Sequence, residues 1–483
     1  LTPDTPRGTA TALRGAFTQI AAQIFIACGS FAVLKLLSST LGPKSYGIFG
    51  IVMALVGIAT LFTDLGVNAI TPRELVKFPA RAGKIIADNV LFRLLLCVFI
   101  IPLTVLVAYF LYPRLHSTVP VLTLIAGVLL ISDSVRAVHL AYFTATGRNY
   151  VVAGVFLLQQ LLIVGGAVAV FSYGAGLITA VLTYVVANLI GAALSGFLVR
   201  RELRVDFNFG VGGWIRTLPD SLPLGITQAV AVLLLRVDSV ILAIYLSPAQ
   251  VAPYFVAYAF INSVNTVPGY MMSAIMPSLV RSEGVERQHL LNLASRYAAL
   301  LGGLVVAVLV SCAGPLVVLV AGTAFSGGVL PLQILAVASL FTFLNAPNGL
   351  AAVSANVHHR LFFVTITALV VNVGANLLLI PALGITGAAA ATLCSEILVL
   401  ILTRAYLARR GREVISVLAP LGVATIGATI AIVVTMFGRS FLVPRSSLVD
   451  LIVSGVLSSV TFAIIAACYL LVRRRRAARF SAE

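Results

Sequence analysis

Fourteen apolar runs follow one another along this chain, starting near Gly15, Tyr46, Lys84, Val119, Tyr150, Ala175, Leu222, Ala249, Leu293, Leu330, Leu361, Thr386, Ile415 and Leu448. Each approaches the roughly 20 residues that a helix needs to cross about 30 Å of hydrocarbon. A backbone in lipid has to satisfy its own polar groups, and no alternating strand pattern is present. The runs therefore predict transmembrane helices in an all-α polytopic membrane protein.

The punctuation between runs occurs twice. LGPKSYGIFG, residues 41–50, and LSPAQVAPYF, residues 246–255, align at a constant offset that puts Leu41 on Leu246, Pro43 on Pro248 and Phe49 on Tyr254. Without a gap, Ile70 and Pro72 then fall on Ile275 and Pro277. YGAGLITAVL and LGITGAAAAT open the sixth and twelfth runs, and both runs end in an arginine pair, Arg200-Arg201 and Arg409-Arg410. This spacing predicts two six-helix lobes, residues 1–202 and 203–411, as parallel repeats about an axis along the membrane normal. Two more helices and a basic tail occupy 412–483. Lys44 does not mark a nucleotide loop, because such a loop needs a glycine immediately before its lysine and Pro43 stands there.

Composition agrees with the pattern. A chain of 483 residues that is 60% hydrophobic and 10% charged cannot cover a soluble surface. The net charge of +17 suits a nucleic-acid binder until its placement is considered. With the N-terminus set in the cytoplasm, 24 of the 32 lysines and arginines fall on cytoplasmic tails, loops and helix ends, 4 on the other side and 4 inside predicted helices. That bias is the positive-inside rule, and it predicts both termini in the cytoplasm, with no nucleic-acid partner. Arg473 to Arg476 suit anionic lipid headgroups. No cleavable signal-peptide pattern opens the chain. Cys28, Cys97, Cys312, Cys394 and Cys468 lie within apolar runs at no ligand spacing, so they read as packing residues, and neither a metal nor a cofactor is expected.

Several stretches resemble the polysaccharide and oligosaccharide flippases of the superfamily that also holds multidrug exporters and lipid II flippases. They are LGPKSYGIFG followed by Asp64-Leu65-Gly66, ATGRNY before the fifth helix, RVDSVILAIYLS in the seventh, and NVGANLLLIPALGITGAAAATLCSE across the eleventh and twelfth. The resemblance spans roughly residues 10–410, and fourteen helices suit the flippase branch better than the twelve usual in drug exporters. Family members often carry an acidic residue after Leu-Gly-Pro and a basic one before it. Here Lys44 follows and Ser38 and Ser39 precede, so no substrate role is carried onto that turn.

Charges inside the spans are the candidate functional groups, since each costs about 2.5 to 3.5 kcal/mol near mid-membrane unless paired or hydrated. Lys35 and Arg236 lie in the first helix of each lobe, a position that the resemblance implies lines a central cavity. Asp238 is two residues from Arg236, about 200° round the helix, so neither neutralises the other. Arg93 is close enough to its helix end to snorkel, with a ligand contact as the other reading. Asp133 and Arg136, three apart, read as a structural ion pair, with His139 three further on. In the eighth helix Tyr254, Tyr258, Asn262 and Asn265 share one face and either glue helices together or meet glycan hydroxyls. Gln19, Gln23 and Ser30 form a shorter stripe in the first. Glu396, mid-span in the twelfth, is a candidate proton or sodium site, with a hydrogen-bonded structural carboxyl as the alternative.

The function expected is flipping of a polyprenyl-pyrophosphate-linked oligosaccharide across a bacterial inner membrane by alternating access, with Arg236 and Lys35 meeting phosphate charge and with Arg93, Tyr258, Asn262, Asn265, Gln19 and Gln23 as the other substrate-binding candidates. Membrane lipids and other polysaccharide-assembly proteins are the partners. The rivals are a cation-coupled multidrug exporter, which wants an acidic cavity, and a membrane-embedded glycan polymerase or ligase. The enzyme reading lacks a nucleophile motif, metal spacing or a large external loop.

Overall fold

In the computed structural model, residues 6–203, 211–354, 358–409, 415–441 and 446–480 are described. They form fifteen α-helices, with three short 3-10 turns and no strand. The first seven are α1 (Pro6–Asp64), α2 (Val67–Lys77), α3 (Ala82–Leu111), α4 (Val119–Ala145), α5 (Asn149–Ser172), α6 (Leu177–Glu202) and α7 (Val211–Tyr245). The remaining eight are α8 (Pro248–Asn265), α9 (Val267–Arg281), α10 (Gly284–Ala321), α11 (Val329–Ser354), α12 (His358–Leu383), α13 (Ile385–Arg409), α14 (Leu418–Phe441) and α15 (Ser447–Phe480).

The Leu-Gly-Pro stretch is a break of one residue inside α1. Gly42 sits at φ 65, ψ 175, a conformation open to glycine, and Pro43 then restarts the helix where its missing N–H costs nothing. The second expected span stops again after Asp64, where Leu65 (φ 42) and Gly66 (φ 82) turn the chain into α2. Its partner in the repeat, the eighth span, is likewise split, into α8 and α9 at Thr266.

Among the described residues, twelve stretches are long and apolar enough to cross a membrane, and one of them, Phe25–Lys77, holds parts of two expected spans. The eighth span is absent from the twelve, because its stripe of Tyr and Asn dilutes the apolar run and Thr266 divides it. Large side chains such as Phe99, Phe110, Leu378 and Phe437 are 66%, 69%, 78% and 67% exposed. On so apolar a set of helices these are lipid-facing positions, and the protein is a multi-pass membrane protein. Cys97 and Cys312 are buried, whereas Cys28, Cys394 and Cys468 lie on exposed helix faces, so a packing role applies to two of the five cysteines.

Packing divides the chain into two units, residues 1–249 and 250–483. In the first, α1 lies along α4, α5 and α7, while α3 and α6 both pack on α4. Ile86, Val90, Val138, Phe143 and Val199 build its core. The repeat boundary after residue 202 is a matter of sequence correspondence; by packing, α7 joins α1, α2 and α3. In the second unit α10 supports α11, α14 and α15, and α13 lies against α11 and α12 around a core that includes Leu291, Ala299, Leu344 and Phe462.

Candidate functional site

Four charges and three amides cross the first unit in one chain of contacts. Arg93 on α3 is fully buried, and its Nη1 donates to Asn68 Oδ1 at 2.7 Å and lies 3.3 Å from Asp64 Oδ1. Asp64 is fixed in turn by the Asn68 backbone N–H at 3.1 Å. On the other side Arg93 Nη2 is 3.7 Å from Asp133 Oδ2, and Asp133 Oδ1 is 2.5 Å from Arg136 Nη2. Arg136 then donates to Gln159 Oε1, and Gln159 Nε2 to Asn188 Oδ1 at 2.9 Å. The chain thus runs from α1 and α2 through α3, α4 and α5 to α6. Burying a charge is tolerable only with pairing of this kind. Arg93 does not snorkel, as one reading of its position expects, because Asp64, Asn68 and Asp133 hold its guanidinium inside the bundle.

Asp64 also borders a cavity of about 230 Å³ between α1 and α7. Leu61 and Asp64 form one wall, and Gly225, Gln228, Ala229 and Val232 form the other. Gly57 lies two turns before Asp64 on the same face of α1, about 10 Å along the axis. Arg236 is one turn beyond Val232 on the cavity face of α7, and its guanidinium lies against Gly57: a Cβ built there would sit 3.2 Å from Arg236 Cζ. Arg236 is half-buried, and among the described residues no carboxylate lies within ion-pair distance of it. A carboxylate thus lines a largely apolar hollow within one unit, and a guanidinium lies one helical turn beyond that lining. The hollow closes at the Leu65-Gly66 turn, where backbones nearly touch: a Cβ on Gly66 would meet Ser221 O at 2.3 Å, and one on Gly225 would meet Leu65 C at 2.3 Å.

The second unit has a polar centre of its own. Asn345 Nδ2 on α11 donates to Glu396 Oε2 at 2.8 Å and to the Glu396 carbonyl at 3.2 Å. Asn348 Nδ2 donates to Leu344 O, Asn376 Nδ2 to Asn372 O and Oδ1, and Asn372 Nδ2 to Ser395 Oγ. The Oδ1 atoms of Asn345, Asn348 and Asn376 are buried with no donor.

The other expected site residues are scattered. Lys35 is exposed and Gln23 half-buried, and the Gln19 side chain lies outside the described ones. Asp238 is buried, with its Oδ1 accepting the Ser239 backbone N–H at 2.6 Å and the Ser239 hydroxyl at 3.2 Å. The face expected on α8 runs from core to surface. Tyr254 is fully buried and stacks on half-buried Tyr258 with centroids 5.9 Å apart, Asn265 is half-buried, and Asn262 is exposed. His139 Nδ1 faces Ser195 Oγ at 3.3 Å.

A family profile described as polysaccharide biosynthesis protein matches residues 12–283, more than half of the chain. This protein belongs to that family. Among solved structures it is similar to a lipid II flippase, MurJ, in an inward closed conformation, with a TM-score of 0.78 at 11% identity over 95% of this chain and 98% of that one. An inward-facing multidrug resistance MATE family transporter of the MOP superfamily matches with a TM-score of 0.65 at 15% identity over 82% of this chain and 98% of that one. A MOP superfamily transporter from Pyrococcus furiosus gives 0.55 at 16% identity over 81% and 96%. No curated protein matches this sequence significantly. At these identities the likeness establishes the fold.

For this member of the polysaccharide biosynthesis family, sequence reasoning missed Asp64, Asn68, Gln159 and Asn188 as partners of the buried arginines, and Gly57 as the seat of Arg236. The Asp64-Leu65-Gly66 stretch carried a usable signal: an acid followed by a glycine at the end of an apolar run marks a helix break with a charge inside it.

Proposed function

We propose that this protein flips a polyprenyl-pyrophosphate-linked oligosaccharide across the bacterial cytoplasmic membrane by alternating access, for cell-surface polysaccharide synthesis, with both termini in the cytoplasm. It acts as a transporter and not as an enzyme. Membership of the polysaccharide biosynthesis family and a fold shared with a lipid II flippase support the reading. The observation that carries it is Arg236, a half-buried guanidinium without a carboxylate partner among the described residues, one helical turn beyond Val232 in the lining of an apolar hollow. A cation held in low dielectric without its own counter-ion is suited to phosphate, and the fork of Arg binds phosphate oxygens in pairs. The apolar wall suits the first carbons of a lipid next to that phosphate. Other polysaccharide-assembly proteins would supply the substrate and take up the product.

The test is Arg236→Ala in the native host. Surface glycan disappears while the protein stays in the membrane at the normal level; unchanged glycan export in that strain overturns the assignment. The exporter reading is favoured by Asp64, whose carboxylate reaches the same hollow. Asp64 is held by Arg93 and Asn68, which opposes its use for a cationic drug. Drug sensitivity of a deletion strain separates the two readings, since a flippase deletion leaves resistance unchanged.

A further inference from the structure

The polar centre of the second unit has acceptors in excess of donors. Each of Asn345, Asn348 and Asn376 spends its amide N–H groups on a carbonyl, an amide oxygen or the Glu396 carboxylate and leaves its own Oδ1 buried without a donor. Glu396 receives Asn345 Nδ2, a neutral donor. No described cation lies within ion-pair distance of it. The elements packed against α13 offer none either. α11 carries no charged or titratable residue, and α12 carries His358, His359 and Arg360 in its first turn only. α13 itself carries Cys394, on an exposed face, and Arg404, Tyr406 and Arg409 near its end. Glu396 sits eleven residues into α13, about 16 Å from the start of the helix, and is half-buried.

An ionised carboxylate at that depth without a cation is costly, and a proton removes the cost. Asn345 is suited to both conditions. Its amide donates to the carboxylate when Glu396 is ionised; turned by 180° it presents Oδ1 to the acid O–H when Glu396 is loaded, and the orphaned acceptor gains its donor. We infer that Glu396, partnered by Asn345, is a reversible proton-binding site in the second unit. If the protein is the flippase proposed above, the proton taken up on Glu396 Oε2 from the water on one side and released to the other is the driving ion; this coupling rests on that reading.

The site is tested on purified full-length protein in lipid by infrared titration. One protonated-carboxyl stretch appears and disappears with pH, is lost in Glu396→Gln, and moves its midpoint by about one pH unit in Asn345→Leu. Absence of any titrating band that Glu396→Gln removes overturns the proposal. So does a band abolished by sodium chloride at fixed pH, which makes the ion sodium. In cells, Glu396→Gln at normal membrane level lowers glycan export at least tenfold; full export overturns the coupling. Should a deletion strain export glycan normally, the flippase reading falls while the infrared result still decides the proton site.

Discussion

Arg93 on α3 and Asp64 at the end of α1 meet at 3.3 Å inside the first unit, and this pair ties the Leu65-Gly66 turn to the helices behind it. Removing one partner of a buried pair leaves the other charge uncompensated, which costs about 3 to 5 kcal/mol. Arg93→Ala is expected to lower stability in detergent by that amount. Combined with Asp64→Asn, the loss falls short of the sum of the singles by about 1 to 3 kcal/mol. Thermal unfolding of the four proteins measures the coupling, and strict additivity would show that the two residues act independently.

Gly66→Ala is expected to be severe. The residue has φ 82, and a Cβ would meet Ser221 O at 2.3 Å, a backbone atom with no rotamer to give. Left-handed strain of about 1 to 2 kcal/mol and overpacking of about 1 to 3 kcal/mol together predict a large loss of folded protein, read as monodisperse yield on gel filtration.

Gly57→Ala separates function from folding. Its Cβ would sit 3.2 Å from the Arg236 guanidinium, the far end of a flexible side chain that can move aside. Stability is expected to change by less than about 1 kcal/mol, while glycan export falls because the Arg236 guanidinium is pushed off its seat on Gly57. Wild-type export in this variant would detach Arg236 from transport.

The Arg148–Glu202 pair behaves differently although it is shorter. Its oxygens and nitrogens approach to 2.5 Å, but the side chains are 30% and 35% exposed at the edge of the bundle. The hydrogen bond from Arg148 to Glu202 holds the guanidinium above its usual pKa, so the charge is constant at any working pH. Arg148→Ala is expected to cost about 1 kcal/mol or less, and a loss as large as that for Arg93→Ala in the same melts would contradict solvent screening here.

Local features were legible in the amino-acid order and relationships between distant residues were not. Apolar run length is a sum over neighbours, so the spans could be placed without knowing what they touch. Asp133 and Arg136 could be paired because three residues on a helix bring two side chains to one face. Arg93 and Asp64 belong to different helices, and their meeting depends on how each helix is rotated, so Arg93 reads as a snorkelling residue until its partners are seen. Gly57 looks like any small residue in a membrane helix, and only the position of α7 makes it the bed of Arg236. Asn345 is uncharged, so it does not stand out as Glu396 does, yet its amide is the group that meets that carboxyl.

One consequence of the relay through the first unit concerns voltage. With its carboxylates ionised, the quartet of Asp64, Arg93, Asp133 and Arg136 sums to zero. Moving an elementary charge through 100 mV is worth about 2.3 kcal/mol, but carrying a neutral quartet through the same field does no net electrical work. Any current that accompanies turnover would therefore report charges outside this quartet.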